Sequence, residues 1–327
     1  MVSLVFYIAT FIVSCLALSW LGSRLIKILV NVAKYLGWRE FIAAFFMMSF
    51  ATSLPNLFVG INAALHKIPQ LSFGDIVGGN MVDMTLTIAL AVLIGRGSLK
   101  TESKMVQGSA IFTTLIAVLP LILILDGKLT RIDGLILLLA FAFYTFWIFS
   151  KEERFRKKYK ETKKEESAPV AGFFGFLKNL ANIAFLTALL ILASQGIVKS
   201  SQFFSSSFNI PISLVGLLIV GLGNCVPEGY FSIVSARKGQ GWMVLGNLMG
   251  SVIVCSTLVL GIVVLINPII IDDFSPFLIA RIFTIIAAFI YLVIIKTDRE
   301  ITKKEAILLL FIYVAFLLAE IFKPYFF

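Results

Sequence analysis

The chain has 327 residues, of which 59% are hydrophobic and 14% charged, and its mean hydropathy is +1.00. That composition excludes an ordinary soluble domain. The net charge of +10 would fit a nucleic-acid partner, but its placement follows a membrane, so none is expected.

Crossing the hydrocarbon core takes roughly 20 apolar residues per helix. Ten stretches qualify, at 3–22, 40–64, 71–95, 106–126, 131–150, 172–196, 209–236, 241–267, 274–295 and 304–323. The first lacks a basic N-terminal region and a small-residue cleavage site, so it reads as a retained helix. Arg24, Lys27, Lys34 and Arg39 follow span 1, and Arg96, Lys100 and Lys104 follow span 3. Eight basic residues lie in the loop after span 5; Arg237 and Lys238 follow span 7, and Lys296, Arg299, Lys303 and Lys304 follow span 9. These loops fall on one face and hold 21 of the 28 Lys and Arg. Cytoplasmic loops carry that excess, so a multi-pass protein of the cell membrane is expected, with both termini outside. The charged segment 151–171 reads as a cytoplasmic linker between two five-span halves, 1–150 and 172–327. Cys15, Cys225 and Cys255 all fall within spans, which argues against a disulfide framework.

A polar segment occurs twice in this apolar sequence. The first copy reads SFATSLPN from Ser49 to Asn56 and GDIVGGNMVDM from Gly74 to Met84; the second reads GLGNCVPE from Gly221 to Glu228 and GNLMGSVIVCS from Gly246 to Ser256. Pro55 matches Pro227, Gly74 matches Gly246, Gly78 matches Gly250 and Asp83 matches Cys255, each pair 172 residues apart. An offset of five spans reverses the direction of crossing, so the copies are expected to be inverted about an axis in the membrane plane. Pro- and Gly-broken segments at corresponding places in two such halves point to a binding site near the midplane, at the repeat interface.

An ionisable residue within a span costs several kcal/mol on insertion scales unless it is paired or hydrated. Asp83 and Glu228 are therefore the leading candidates; the bland alternative is a protonated or hydrogen-bonded helix contact. Pro227 removes a helix hydrogen bond beside Glu228, which frees carbonyl oxygen for a cation. Thr52, Ser53 and Asn56 sit at the equivalent break expected in span 2, and Asn224 and Cys225 at that in span 7. Singly, such residues are more often packing glue; at mirrored positions their oxygens suit Na⁺ or Ca²⁺. Gly74, Gly78, Gly79, Gly246 and Gly250 fit close helix packing at least as well as direct contact. Asp75 is expected to cap a helix N-terminus near the interface, with a role in ion access as the alternative. Arg281, Asp272, Asp273 and Glu320 read as a structural charge group, and His66 as incidental.

At these motifs the chain resembles the calcium/cation antiporter superfamily, and within it the prokaryotic sodium/calcium exchangers. That family carries G-T-S-x-P-E followed by G-N-x-x-G-S-N-x-x-(N/D), in two inverted copies across ten helices. The resemblance implies ion ligands at Ser49, Thr52, Ser53, Asn56, Gly79 and Asp83, and at Gly221, Asn224, Cys225, Glu228, Ser251 and Cys255. The chain departs from the pattern at four places. Asn56 replaces a glutamate, Asn224-Cys225 replaces Thr-Ser, Gly79 replaces a serine and Cys255 replaces an acid or amide. Two carboxylates remain, enough to neutralise one divalent ion.

The resulting expectation is an all-α integral membrane antiporter of ten transmembrane helices, with no cofactor and with inorganic cations and the bilayer as partners. Na⁺-coupled Ca²⁺ export by alternating access is the leading reading, the ions competing at Thr52, Ser53, Asn56, Asp83, Asn224, Cys225, Glu228, Ser251 and Cys255. Cation/H⁺ exchange, or transport of another divalent metal, is the alternative on the same fold. The resemblance implies that spans 1 and 6 gate the site. An aspartyl protease is disfavoured because Asp75 and Asp83 lie on one predicted helix, and a passive channel because the site-bearing repeats are inverted.

Overall fold

The computed structural model describes residues 2–35, 40–95, 97–101, 104–150, 173–271, 277–297 and 300–322. The linker expected at 151–171 and the pair Asp272 and Asp273 lie outside them. Among the described residues the chain forms ten helices. They are α1 (Val2–Tyr35), α2 (Glu40–Leu65), α3 (Gln70–Ile94), α4 (Lys104–Leu123), α5 (Arg131–Ser150), α6 (Phe173–Phe208), α7 (Ile212–Arg237), α8 (Gly241–Ile266), α9 (Leu278–Thr297) and α10 (Lys303–Phe322). Eight segments are long and apolar enough to cross a membrane; α2 and α10 occupy the two remaining expected spans. Four two-residue strands, β1 (Leu99–Lys100), β2 (Lys128–Leu129), β3 (Ile269–Ile270) and β4 (Glu300–Ile301), tie the helix ends together, β1 antiparallel to β4 and β2 to β3.

The helices sort into an inner and an outer group. α3 and α8 are largely buried, whereas α1, α5 and α6 present rows of exposed apolar side chains, among them Phe6, Val13, Leu139, Phe146, Phe185 and Leu192. An apolar outer surface of this kind is what lipid contact requires. α1 and α6 are the longest helices, 34 and 36 residues, or about 51 and 54 Å at 1.5 Å per residue. Both exceed a hydrocarbon core of roughly 30 Å, so they tilt or project beyond it. They pack along each other and lean on α2 and α7. Leu18, Leu21, Val59, Leu190, Ile197 and Val215 belong to their apolar cluster, distinct from the main core of α3, α4, α8, α9 and α10.

Three helices change pitch. Widened turns with i→i+5 hydrogen bonding run over Val82–Thr87 in α3, Gly216–Val220 in α7 and Val254–Val259 in α8. The first and last are 172 residues apart, so both copies of the motif distort alike. In each, a threonine hydroxyl donates to a carbonyl one turn back, Thr85 to Met81 and Thr257 to Ile253. Such bulges recur at functional sites, and these hold Asp83 and Cys255.

The two prolines act differently. Cys225, two residues before Pro227, leaves helical geometry at φ −81° and ψ 1°, as expected for span 7. Around Pro55, by contrast, the expected break is absent and α2 stays helical. Its missing N–H still deprives the carbonyl of residue 51 of a donor, but flanking turns carry the helix through.

Candidate ion-binding site

Glycines set how closely the motif helices cross. A side chain on Gly74 or Gly78 would collide with the α7 backbone at Ser213 or Leu217, and one on Gly216 with the Leu71 carbonyl. The α3–α7 crossing is therefore backbone on backbone. On the other side, Gly250 of α8 faces Ser49 of α2, whose hydroxyl donates to the Gly246 carbonyl at 3.4 Å. Gly74, Gly78 and Gly250 thus serve packing. Gly79 differs: a Cβ there would meet Cys225 Sγ at 3.4 Å and Asn56 Nδ2 at 3.8 Å, so it lines the space between α2 and α7.

The polar side chains expected to form a site converge at these crossings. Ser53 Oγ donates to Ser251 Oγ at 3.4 Å, and Ser251 Oγ to Glu228 Oε1 at 3.3 Å. Thr52 also reaches Glu228 and donates to Asn247 Oδ1 at 3.2 Å. Ser251, Cys225 and Thr87 lie close to the Asp83 carboxyl. Ser251 therefore stands between the two carboxyls. Cys225 Sγ donates to the Gly79 carbonyl at 3.6 Å, and Cys255 lies close to Ser53. Asn224, next to Cys225, directs Nδ2 to both oxygens of Asp75, at 3.1 and 3.0 Å. Of the nine expected site residues, Thr52 is partly buried and the other eight are buried, Asp83 at 2% and Glu228 at 1% exposure.

Most atoms left unpaired in this cluster are oxygens, although Asn247 Nδ2, a donor, is also buried without a partner. Asn56 Oδ1, Asp83 Oδ1, Asn224 Oδ1 and Glu228 Oε2 are buried without a hydrogen-bond partner, and no lysine, arginine or histidine among the described residues pairs with either carboxyl. An unsatisfied buried polar group costs about 1–3 kcal/mol, and more when charged. A cation removes that cost at each oxygen it contacts. The atoms are hard oxygen donors, the kind that bind Na⁺ and Ca²⁺. Among the described residues no three His, Cys, Asp or Glu side chains converge to hold a metal, so hydroxyl, amide and carbonyl oxygens must complete any shell. The three cysteines are free thiols.

Asp75 overturns its expectation. α3 begins at Gln70 behind Pro69, which places Asp75 past the first turn, fully buried against Asn224. It caps nothing. Asn247 and Thr87 are the cluster members that motif reasoning passed over, and Asp75 the one it placed in another role. Aligning the halves would have exposed one link, because Asp75 and Asn247 are 172 residues apart. Elsewhere, Arg281 Nη2 donates to the Leu121 carbonyl at 3.1 Å, Glu320 is buried, and His66 bonds within its own helix end, to the Asn62 carbonyl.

Apolar helices around a buried, donor-poor oxygen cluster define a membrane protein built to handle cations, and comparison with known proteins agrees. The family model described as sodium/calcium exchanger protein matches residues 6–150 and 178–322, and the chain belongs to that family. The bounds of the two matched segments differ by 172, the spacing of the motifs. The sodium/calcium exchanger MaX1 of Methanosarcina acetivorans is 25% identical over 89% of this chain and 92% of its own length. The inner membrane protein YrbG of Escherichia coli is 26% identical over 80% of each. Among solved structures, the sodium-calcium exchanger NCX_Mj superposes with a TM-score of 0.60 at 20% identity, over 95% of this chain and 98% of its own. The H⁺/Ca²⁺ exchanger CAX superposes with a TM-score of 0.75 at 16% identity, over 95% and 82%. The chain is thus a multi-pass cation antiporter of the exchanger type.

Proposed function

We propose that the protein exports Ca²⁺ in exchange for Na⁺, with both ions using the cluster around Asp83 and Glu228. The observation that carries this is the set of four orphaned oxygens on α2, α3 and α7. Asp83 and Glu228 supply the charge. Thr52, Ser53, Asn56, Asn224 and Ser251 supply neutral oxygens, and Cys225 and Cys255 line the site. Two buried carboxyls without a basic partner are neutralised equally by one divalent or two monovalent cations, so the ions compete. Ions drive transport only by binding the two access states unequally.

The proposed architecture is ten spans in two inverted halves, 1–150 and 172–327, joined by a cytoplasmic linker, with both termini outside. The pairing of elements supports it. α3 on α7 is exchanged with α8 on α2, and α5 on α8 with α10 on α3, while α1–α6 and α4–α9 map onto themselves. α1 and α6, held in their own apolar cluster and exposed to lipid, are the elements free to shift past the site.

Cation/H⁺ exchange is the second reading, since protons can neutralise the same carboxyl pair. Uptake of ⁴⁵Ca²⁺ into proteoliposomes separates the two. An outward Na⁺ gradient should drive uptake, and an outward H⁺ gradient at symmetrical Na⁺ should not. Uptake that follows the proton gradient alone refutes Na⁺ coupling.

A further inference from the structure

We infer that Asp75 is a positioning residue for the ion site, holding Asn224 so that its carbonyl oxygen faces the cation. This rests on the function proposed above. A carboxylate only accepts hydrogen bonds, whereas an amide has a donor end and an acceptor end. Asn224 Nδ2 donates to both Asp75 oxygens, so the nitrogen is drawn toward α3 and Oδ1 is turned away. That oxygen is one of the four left buried without a partner. Asp75 itself is fully buried, too deep for a surface role.

The first half contains the counterpart in different chemistry. Thr52 and Asn247 are the 172-residue equivalents of Asn224 and Asp75, and the Thr52 hydroxyl donates to Asn247 Oδ1. A hydroxyl presents lone pairs to a site whichever way it donates, so an amide suffices as its partner. An amide in the ligand position has a wrong orientation available, with nitrogen toward the cation. A partner that only accepts removes it. Asparagine at 224 and aspartate at 75 thus form a matched pair, and the acid is what makes the asparagine usable as a ligand. Outer partners of this kind are typically worth 10- to 100-fold in metal affinity.

The test compares wild type, Asp75→Asn and the double variant Asp75→Asn/Asn224→Thr, which rebuilds the first half's hydroxyl–amide pair. Two readouts are taken on purified full-length protein: the midpoint of Ca²⁺ binding by isothermal titration, and the KM for ⁴⁵Ca²⁺ uptake after reconstitution. Asp75→Asn should weaken both by at least about tenfold, and the double variant should return both to within about threefold of wild type. General damage to the fold would lower the ion-free melting temperature without moving the Ca²⁺ midpoint. Wild-type-like midpoint and KM in Asp75→Asn overturn the inference. Loss in the single variant without recovery in the double also overturns it, since Asp75 would then act through its charge. A wild type that neither responds to Ca²⁺ nor transports it overturns the function reading and this inference with it.

Discussion

Replacing Glu228 with glutamine changes charge and little else. The side chain keeps its length, and its amide oxygen can still accept from Ser251, now 3.3 Å from Glu228 Oε1. The carboxyl is 1% exposed, so water cannot replace the lost charge. With Glu228 ionised, a bound Ca²⁺ is balanced by two carboxylates; with glutamine it is balanced by Asp83 alone, leaving one uncompensated positive charge in a dry interior. Removing one partner from a buried charge pair costs about 3–5 kcal/mol, and tenfold in affinity is about 1.4 kcal/mol. Ca²⁺ affinity should therefore fall at least about a hundredfold, while the ion-free protein becomes no less stable, because Glu228 has no basic partner to lose. Isothermal titration with Ca²⁺ in detergent, alongside ion-free melting, measures both. A Glu228→Gln protein that folds and binds Ca²⁺ within a few-fold of wild type would refute the assignment of charge in this cluster.

Three further outcomes are expected. Ser251→Ala deletes the hydroxyl between the carboxyls and one hydrogen bond to a charged group, worth about 1.5–3 kcal/mol, so the KM for Ca²⁺ uptake should rise about tenfold or more at unchanged expression. Asn56→Glu restores a motif carboxylate beside Gly79 and Cys225; it should lower the ion-free melting temperature and enlarge the Ca²⁺-dependent rise, as read by differential scanning fluorimetry. Gly78→Ala drives a methyl into the Leu217 carbonyl and should destabilise by about 1–3 kcal/mol, seen as a lower melting temperature with and without Ca²⁺.

Much of this protein is legible before any coordinates. Hydropathy marks the spans because a bilayer imposes length and apolarity on every crossing helix. The motif spacing locates the nine candidate residues because duplication writes the polar segment twice, and polar residues in hydrocarbon stand out by their cost. Other features depend on how helices rotate and cross. Asp75 reads as a cap along the sequence and becomes the partner of Asn224 only when Gly74, Gly78 and Gly216 let α3 and α7 meet backbone to backbone. Pro55 and Pro227 look alike in sequence, yet α2 continues and α7 breaks at Cys225. Ser251 lies between two carboxyls from different helices, and no one-dimensional pattern encodes that meeting. Hydropathy and spacing are properties of residues along one chain, whereas which buried oxygens go without donors is a property of four helices packed around a common centre.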